Sequence, residues 1–243
     1  MAKVKQTGMK RSKSFSFLKK IIRLFVRRPS VNILGEEKEL INRAIYIGNH
    51  SGASGPFTYE LYFPKTTAPW GAYQMAGKYK VRWKYLYHIF YRQKLKYGKC
   101  RSWFTATIFA VISKLLYSGL GYLPTYPDAR LLGSIKKSID ILHEGYSVGI
   151  FPEDSSNGYK EYLEDYNHGF VTLSKLYYKK YGEDLPVYNI YYSKKLAKIV
   201  VAQPVFINKM LEDGMNVTDV ANYFVRNTNH LYTTYILDNS KNK

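Results

Sequence analysis

The chain has 243 residues, 46% apolar, 16% aromatic and 23% charged. It can therefore bury a sizeable core and is not a disordered polymer. A single cysteine, Cys100, excludes an intramolecular disulfide and a multi-cysteine zinc site and fits a reducing cytoplasmic setting, while a formal net charge of +19 calls for a polyanionic partner: anionic lipid headgroups, nucleic acid or a phosphorylated small molecule.

Residues 1–30 hold ten Lys/Arg and no Asp or Glu. Within them Phe17, Leu18, Ile21, Ile22 and Phe25 follow helical spacing, with Lys19, Lys20, Arg23 and Arg27 largely on the other sides. That pattern predicts an amphipathic helix lying in a membrane interface, its apolar groups among acyl chains and its cations among phosphates. The apolar run is too short for a spanning helix or a signal-peptide core. A solvated basic tail that binds nucleic acid is the plainer alternative. Arg28-Pro29 ends the element and divides the chain into a basic segment, 1–30, and an α/β domain, 31–243.

Beyond that boundary, 43–49 reads as a buried strand and "FTYELYF" as a helix opened by Gly55-Pro56. Residues 65–101 mix aromatics with Lys/Arg, a composition that suits base stacking or an interfacial surface. The most apolar stretch, 102–123, is expected to be a core or partly membrane-immersed helix. Leu131, Ile135, Ile139 and Leu142 share one face of a helix stopped by Gly145. Residues 146–154 read as a strand, 169–182 as a glycine-closed helix, and "LPVYNIYY" and "AKIVVAQPVFI" as strands. A last helix follows, opened near Thr218. This order implies a mixed, largely parallel sheet flanked by helices.

In open α/β sheets the loops after strand C-termini converge on one ligand-binding edge. Two such loops carry ionisable groups, "NHSGASG" at 49–55 and "FPEDSSNGY" at 151–159. If they meet, His50 shares a cleft with Glu153, Asp154, Ser155 and Ser156, a set suited to taking a proton from a hydroxyl nucleophile.

The strand ending in Asn49-His50, the helix ended by Gly145, and Phe151-Pro152-Glu153 about a hundred residues after the histidine resemble the glycerolipid acyltransferases of the 1-acylglycerol-phosphate acyltransferase type. The resemblance spans about residues 43–207. It implies transfer of a fatty acyl group from a thioester, acyl-CoA or acyl-carrier protein, to a glycerolipid or lysophospholipid hydroxyl at the cytoplasmic face of a membrane, without metal or prosthetic group. His50 is then the general base, and Asn49, Glu153, Ser155, Ser156 and Arg130 are the residues expected to hold substrate. The chain departs from the family at three places. Gly55 stands where the family has the aspartate of H-x-x-x-x-D; Asp154, Ser155 and Ser156 replace the Gly-Thr-Arg after the glutamate; and Arg130 lies far from Gly121. A histidine acting as base needs an acceptor on its other nitrogen, and Asp154 is expected to supply it in place of a residue at 55. The alternatives are an inactive lipid-binding or scaffolding relative and a basic nucleic-acid-binding protein.

Overall fold

β-branched and aromatic runs form the centre of the sheet. The strands β2 (Ile45–Gly48), β5 (Ser147–Ile150) and β6 (Pro186–Ser193) are buried at every position, as expected of a sheet covered on both faces. In the computed structural model, which describes residues 12–36, 38–52 and 54–237, they are joined by β1 (Ser30–Ile33), β3 (Thr67–Ala72), β4 (Leu123–Thr125), β7 (Lys198–Val201) and β8 (Val205–Phe206). The order across the sheet is β1-β7-β6-β2-β5-β3-β4, and β8 also pairs with β6. β6–β7 and β6–β8 are antiparallel and the other pairs parallel. The sheet is mixed and mostly parallel.

Three strands have no counterpart in the sequence reading. β1 and β4 are short edge strands. β3 contains Pro69 and Gly71, and it pairs with β5 through Thr67–Pro69 and with β4 through Trp70–Ala72. Each half of β3 is thus paired on one side only, which tolerates residues that a fully paired strand excludes.

Helices cover both faces. On one, α5 (Leu131–His143), α6 (Gly169–Tyr181) and α8 (Val217–Tyr232) bring Ile135, Leu142, Phe170, Leu173 and Phe224 into one core with Ile45, Ile47, Val148 and Ile150. Gly145 (φ 89°) and Gly182 (φ 69°) lie just beyond the ends of α5 and α6 in the left-handed region that glycine enters without strain. Asn216, a neighbour of Thr218, opens α8 through a reciprocal capping box with Asp219. The short α7 (Ile207–Glu212) precedes it. On the other face, Tyr46, Tyr188, Ile190 and Tyr192 pack with Tyr59 of α2 (Ser54–Tyr62).

A second layer is made of helices alone. α1 (Lys13–Arg23), α3 (Tyr79–Lys84), a π-helical stretch (Tyr85–Lys94) and α4 (Lys99–Leu120) pack on one another. α1 approaches α4 so closely that a Cβ on Gly119 would stand 2.2 Å from Phe15 Cβ. The apolar residues of α1 do not form the single face that the spacing predicts. Phe15, Leu18 and Ile22 pack inward with Leu116 and Leu120, whereas Phe17, Ile21, Leu24 and Phe25 in and after the helix stay exposed. Residues 1–11 of the basic segment lie outside the described residues.

Candidate active site at the ends of β2 and β5

Strand register decides which side chains meet. β2 and β5 are parallel, with Ile45 opposite Val148 and Ile47 opposite Ile150. Carried past the strand ends, that register sets His50 opposite Glu153. The His50 backbone N–H donates to Glu153 Oε2 at 3.1 Å, and His50 Nδ1 lies 3.3 Å from the same oxygen. Glu153 Oε1 accepts the Lys160 backbone N–H at 3.1 Å. The carboxylate is buried, with its side chain 4% exposed, and the imidazole is 20% exposed. A carboxylate only accepts, so this contact fixes the proton on Nδ1 and leaves Nε2 as the free basic nitrogen.

Asp154 does not take the place expected of it. Its carboxylate is turned to solvent and accepts the Ser156 backbone N–H at 2.9 Å and the Ser156 hydroxyl at 3.2 Å. Glu153 sits in an extended segment bridged to Tyr166, and successive side chains of extended backbone point to opposite sides. With Glu153 turned inward to His50, its neighbour faces out. Ser156 is exposed with Asp154, whereas Ser155 is buried, its Oγ accepting from Lys94 Nζ at 2.7 Å.

Asn49 is likewise not on a substrate-facing surface. It is 1% exposed, its Nδ2 donates to the Tyr192 carbonyl at 3.1 Å, and its Oδ1 accepts the Tyr192 N–H at 2.8 Å. Both ends of the amide thus continue the β2–β6 ladder past the strand end, and Asn49 positions His50 from behind. Arg130 stands exposed on a two-point contact with Asp128, with Nη2 2.7 Å and Nε 2.9 Å from its carboxylate oxygens, and stacks over Tyr126. The pairing holds the Asp128 carboxyl down at about 2, and Arg130 is absent from the linings of both cavities at His50.

Gly55 has a positive reason to be glycine. Its N–H donates to the His50 carbonyl at 2.7 Å. A Cβ here would lie 2.5 Å from the Asn49 carbonyl oxygen and 2.6 Å from that of His50. The first turn of α2 is pressed against the backbone that carries the histidine, and an aspartate at 55 has no room. Glu60, one turn further on, pairs with Lys19 at 3.2 Å.

Two cavities meet at His50. One, of about 140 Å³, is walled mainly by apolar groups including Phe57, Leu86, Phe109, Leu120 and Phe151. Its size is close to that of a cavity that takes a benzene ring, room for the first methylenes of an alkyl chain. The other, of about 640 Å³, is an open polar cleft bordered by Gln74, Glu153, Ser155, Asn167 and His168. His50 and Lys94 line both. Burial lowers the Lys94 pKa, against the opposing pull of Asp154 and then Glu153. Tyr159 of the apolar cavity, whose ring centroid lies 5.0 Å from that of His50, ends the quoted loop at 151–159 without being singled out there, and Lys94, one of eleven Lys/Arg between 61 and 127, gives no signal. Among the described residues no three His, Cys, Asp or Glu side chains gather as a metal site. Set against known proteins, the chain matches no family model and no curated protein.

Proposed function

We propose that this protein is an O-acyltransferase of the glycerolipid type, moving a fatty acyl group from an acyl thioester to a lipid or glycerol-based hydroxyl. The observation that carries the reading is the His50–Glu153 pair at the junction of an apolar and a polar cavity. A thioester-activated acyl chain and a polar acceptor need those two environments on either side of one base.

The chemistry follows from the pair. Nε2 of His50 takes the acceptor hydroxyl proton as that oxygen forms a bond to the thioester carbonyl carbon. Glu153, fixed on Nδ1–H, stabilises the imidazolium that results. The tetrahedral intermediate collapses with cleavage of the C–S bond, and the departing sulfur receives the proton from His50. The products are an ester and a free thiol. The carboxylate that assists His50 comes from Glu153, opposite it across the sheet, so Gly55 does not favour an inactive relative.

The proposed setting is the surface of an anionic membrane. Residues 1–35 and 61–127 carry ten and eleven Lys/Arg and no Asp or Glu, and the helices of the second layer, at 13–23, 79–94 and 99–120, fall within these segments. On α4, Phe104, Ile108, Val111, Ile112 and Leu115 are exposed at i, i+4, i+7, i+8 and i+11, the spacing of one helical stripe. An apolar stripe on a layer free of acids is complementary to acyl chains below a sheet of phosphates, whereas nucleic acid has no use for the aliphatic part. α4 is, among the described residues, the helix long and apolar enough to cross a membrane. Its packing on α1, α3 and the π-helical stretch, and the exposed Lys114 within it, fit an orientation along the surface instead.

The test is thiol release from acyl-CoA and from acyl-carrier protein with lysophospholipid acceptors, followed by mass spectrometry of the lipid product. A new ester that disappears with His50→Ala supports the reading. Absence of turnover with every donor–acceptor pair, together with retained binding to anionic vesicles, supports a lipid-binding protein.

A further inference from the structure

We propose that Lys94 is the anion-binding residue of this cleft, holding a phosphate or like oxyanion of a substrate beside His50. The inference deepens the acyltransferase reading but stands on geometry of its own.

Lys94 closes the π-helical stretch, and its ammonium lies where the two cavities meet. Among the described residues it is in no ion pair. Its contacts are the Ser155 hydroxyl at 2.7 Å and the Tyr159 ring, 5.8 Å from Nζ to the centroid. Both nearby carboxylates are committed elsewhere: Glu153 to His50 and the Lys160 N–H, Asp154 to Ser156. An ammonium drawn partly from water without a directly bonded counter-ion is unfavourable, and burial lowers the Lys94 pKa despite the pull of Asp154 and Glu153. Of its three N–H donors one meets Ser155, which leaves two for a ligand. A partly buried cation that is in no ion pair among the described residues, with two free donors on the wall of a cleft, is arranged for an anion that arrives with the substrate.

The rest of the cleft supports this assignment. Gln74, Asn167 and His168 border it with hydrogen-bonding groups, and its two lining carboxylates, Glu153 and Asp128, are held by His50 and by Arg130. Arg130, the arginine that the sequence offers for phosphate, lies outside the cleft lining and is neutralised by Asp128. The π-helical backbone contributes as well: the Leu95 N–H reaches back to Phe90 O at 3.0 Å, five residues rather than four. Such widened turns are frequent at functional sites, and this one ends on a residue that lines both cavities. The hydroxyl of Ser155 then has a definite purpose, holding the flexible lysine in place for its ligand.

Two parts of the proposed reaction carry phosphate, the acceptor and a coenzyme A donor, and the experiment separates them. Purified full-length protein is titrated calorimetrically with glycerol 3-phosphate, with coenzyme A and with glycerol as the uncharged control. The wild-type chain is compared with Lys94→Gln, Lys94→Arg and, as a surface control, Arg130→Gln, each checked for folding by thermal unfolding. Lys94→Gln is expected to weaken one phosphate probe by about tenfold or more, with Lys94→Arg retaining part of the affinity and Arg130→Gln all of it. Loss confined to glycerol 3-phosphate places the anion on the acceptor, and loss confined to coenzyme A places it on the donor. Wild-type protein that binds neither probe, or Lys94→Gln protein that binds both as tightly as wild type, overturns the inference. Acyl transfer is scored separately: Lys94-dependent binding without turnover retains this site and removes the enzyme, whereas turnover with unchanged KM for both substrates in Lys94→Gln does the reverse.

Discussion

The sheet edge and the helical layer satisfy their polar groups in opposite ways. At the ends of β2 and β5 almost every polar atom near His50 is committed: Asn49 to the Tyr192 backbone, Glu153 to His50 and Lys160, the Gly55 N–H to the His50 carbonyl. The helical layer carries many cations without an acid of its own, and a row of exposed apolar groups on α4. A fully bonded constellation is rigid and suits proton transfer, where geometry within a few tenths of an ångström decides the rate. A surface rich in unpaired charge suits recognition, because its missing partners are external. Lys94 is where the two meet.

The strongest way to break this division is His50→Ala. On the proposed function, this substitution is expected to lower kcat for thiol release by about 10³-fold or more, with little change in thermal stability for a partly exposed side chain. Activity within tenfold of wild type would remove His50 from the chemistry and leave the sheet edge as scaffold.

Glu153 and Asp154 are adjacent in sequence and face opposite environments, and exchanging each for its amide sharpens the comparison. Glu153→Gln replaces an acceptor-only group by one that presents an NH₂ to donors on one side, and it is expected to lower kcat by about 10²-fold through the wrong imidazole tautomer. Asp154→Asn is expected to stay within about threefold, since it alters an exposed turn. The opposite ranking would return the helper role to Asp154.

That pair also marks how far the sequence is legible. The strands around 43–49 and 146–154, the helices ended by Gly145 and Gly182, and the meeting of the two loops all follow from apolar runs and glycine punctuation. Which carboxylate faces the histidine depends on the parity of an extended segment and on a register fixed by distant strands, and "PED" carries neither. β3 is hidden because Pro69 and Gly71 break its pattern. α1 divides its apolar groups between α4 and solvent, a division that helical spacing by itself does not contain. Lys94 is hidden by its many basic neighbours, since burial and not identity sets it apart.

Gly55 tests the backbone of the sheet edge. Gly55→Ala drives a Cβ against the Asn49 and His50 carbonyls and is expected to destabilise the fold by about 1–3 kcal/mol in urea or thermal unfolding, the usual range for overpacking. Gly55→Asp is expected to be at least as destabilising and to restore no activity. A gain of activity would show that the loop opens and that a carboxylate at 55 is the natural partner of His50.

The helical layer is tested by charge on α4. The double substitution Phe104→Asp and Val111→Asp sets two anions on the exposed stripe. It is expected to reduce partition onto anionic vesicles by about tenfold or more, since the stripe loses apolar contact and each cation near such a surface is worth about 1 kcal/mol. Turnover of substrates presented in detergent should be unaffected. Equal loss in vesicles and detergent would tie α4 to the site itself instead of to the bilayer.

The smallest effect is expected at Arg130. It is the arginine that the sequence offers for phosphate, yet Asp128 accepts from it at two points and the two side chains lie open to water. Exposed pairs of this kind contribute little to stability, and a guanidinium already matched by a carboxylate has little attraction left for a second anion. The Asp128 carboxyl is held at about 2 by the arginine, so the pair stays ionised, and Arg130 stays neutralised, from pH 4 upward. Arg130→Gln should therefore shift KM for a phosphate-bearing substrate by no more than about twofold, equally at pH 5 and pH 8. A larger shift would mean that substrate draws Arg130 away from Asp128 and into the cleft, and Asp128→Asn would then lower KM by freeing it.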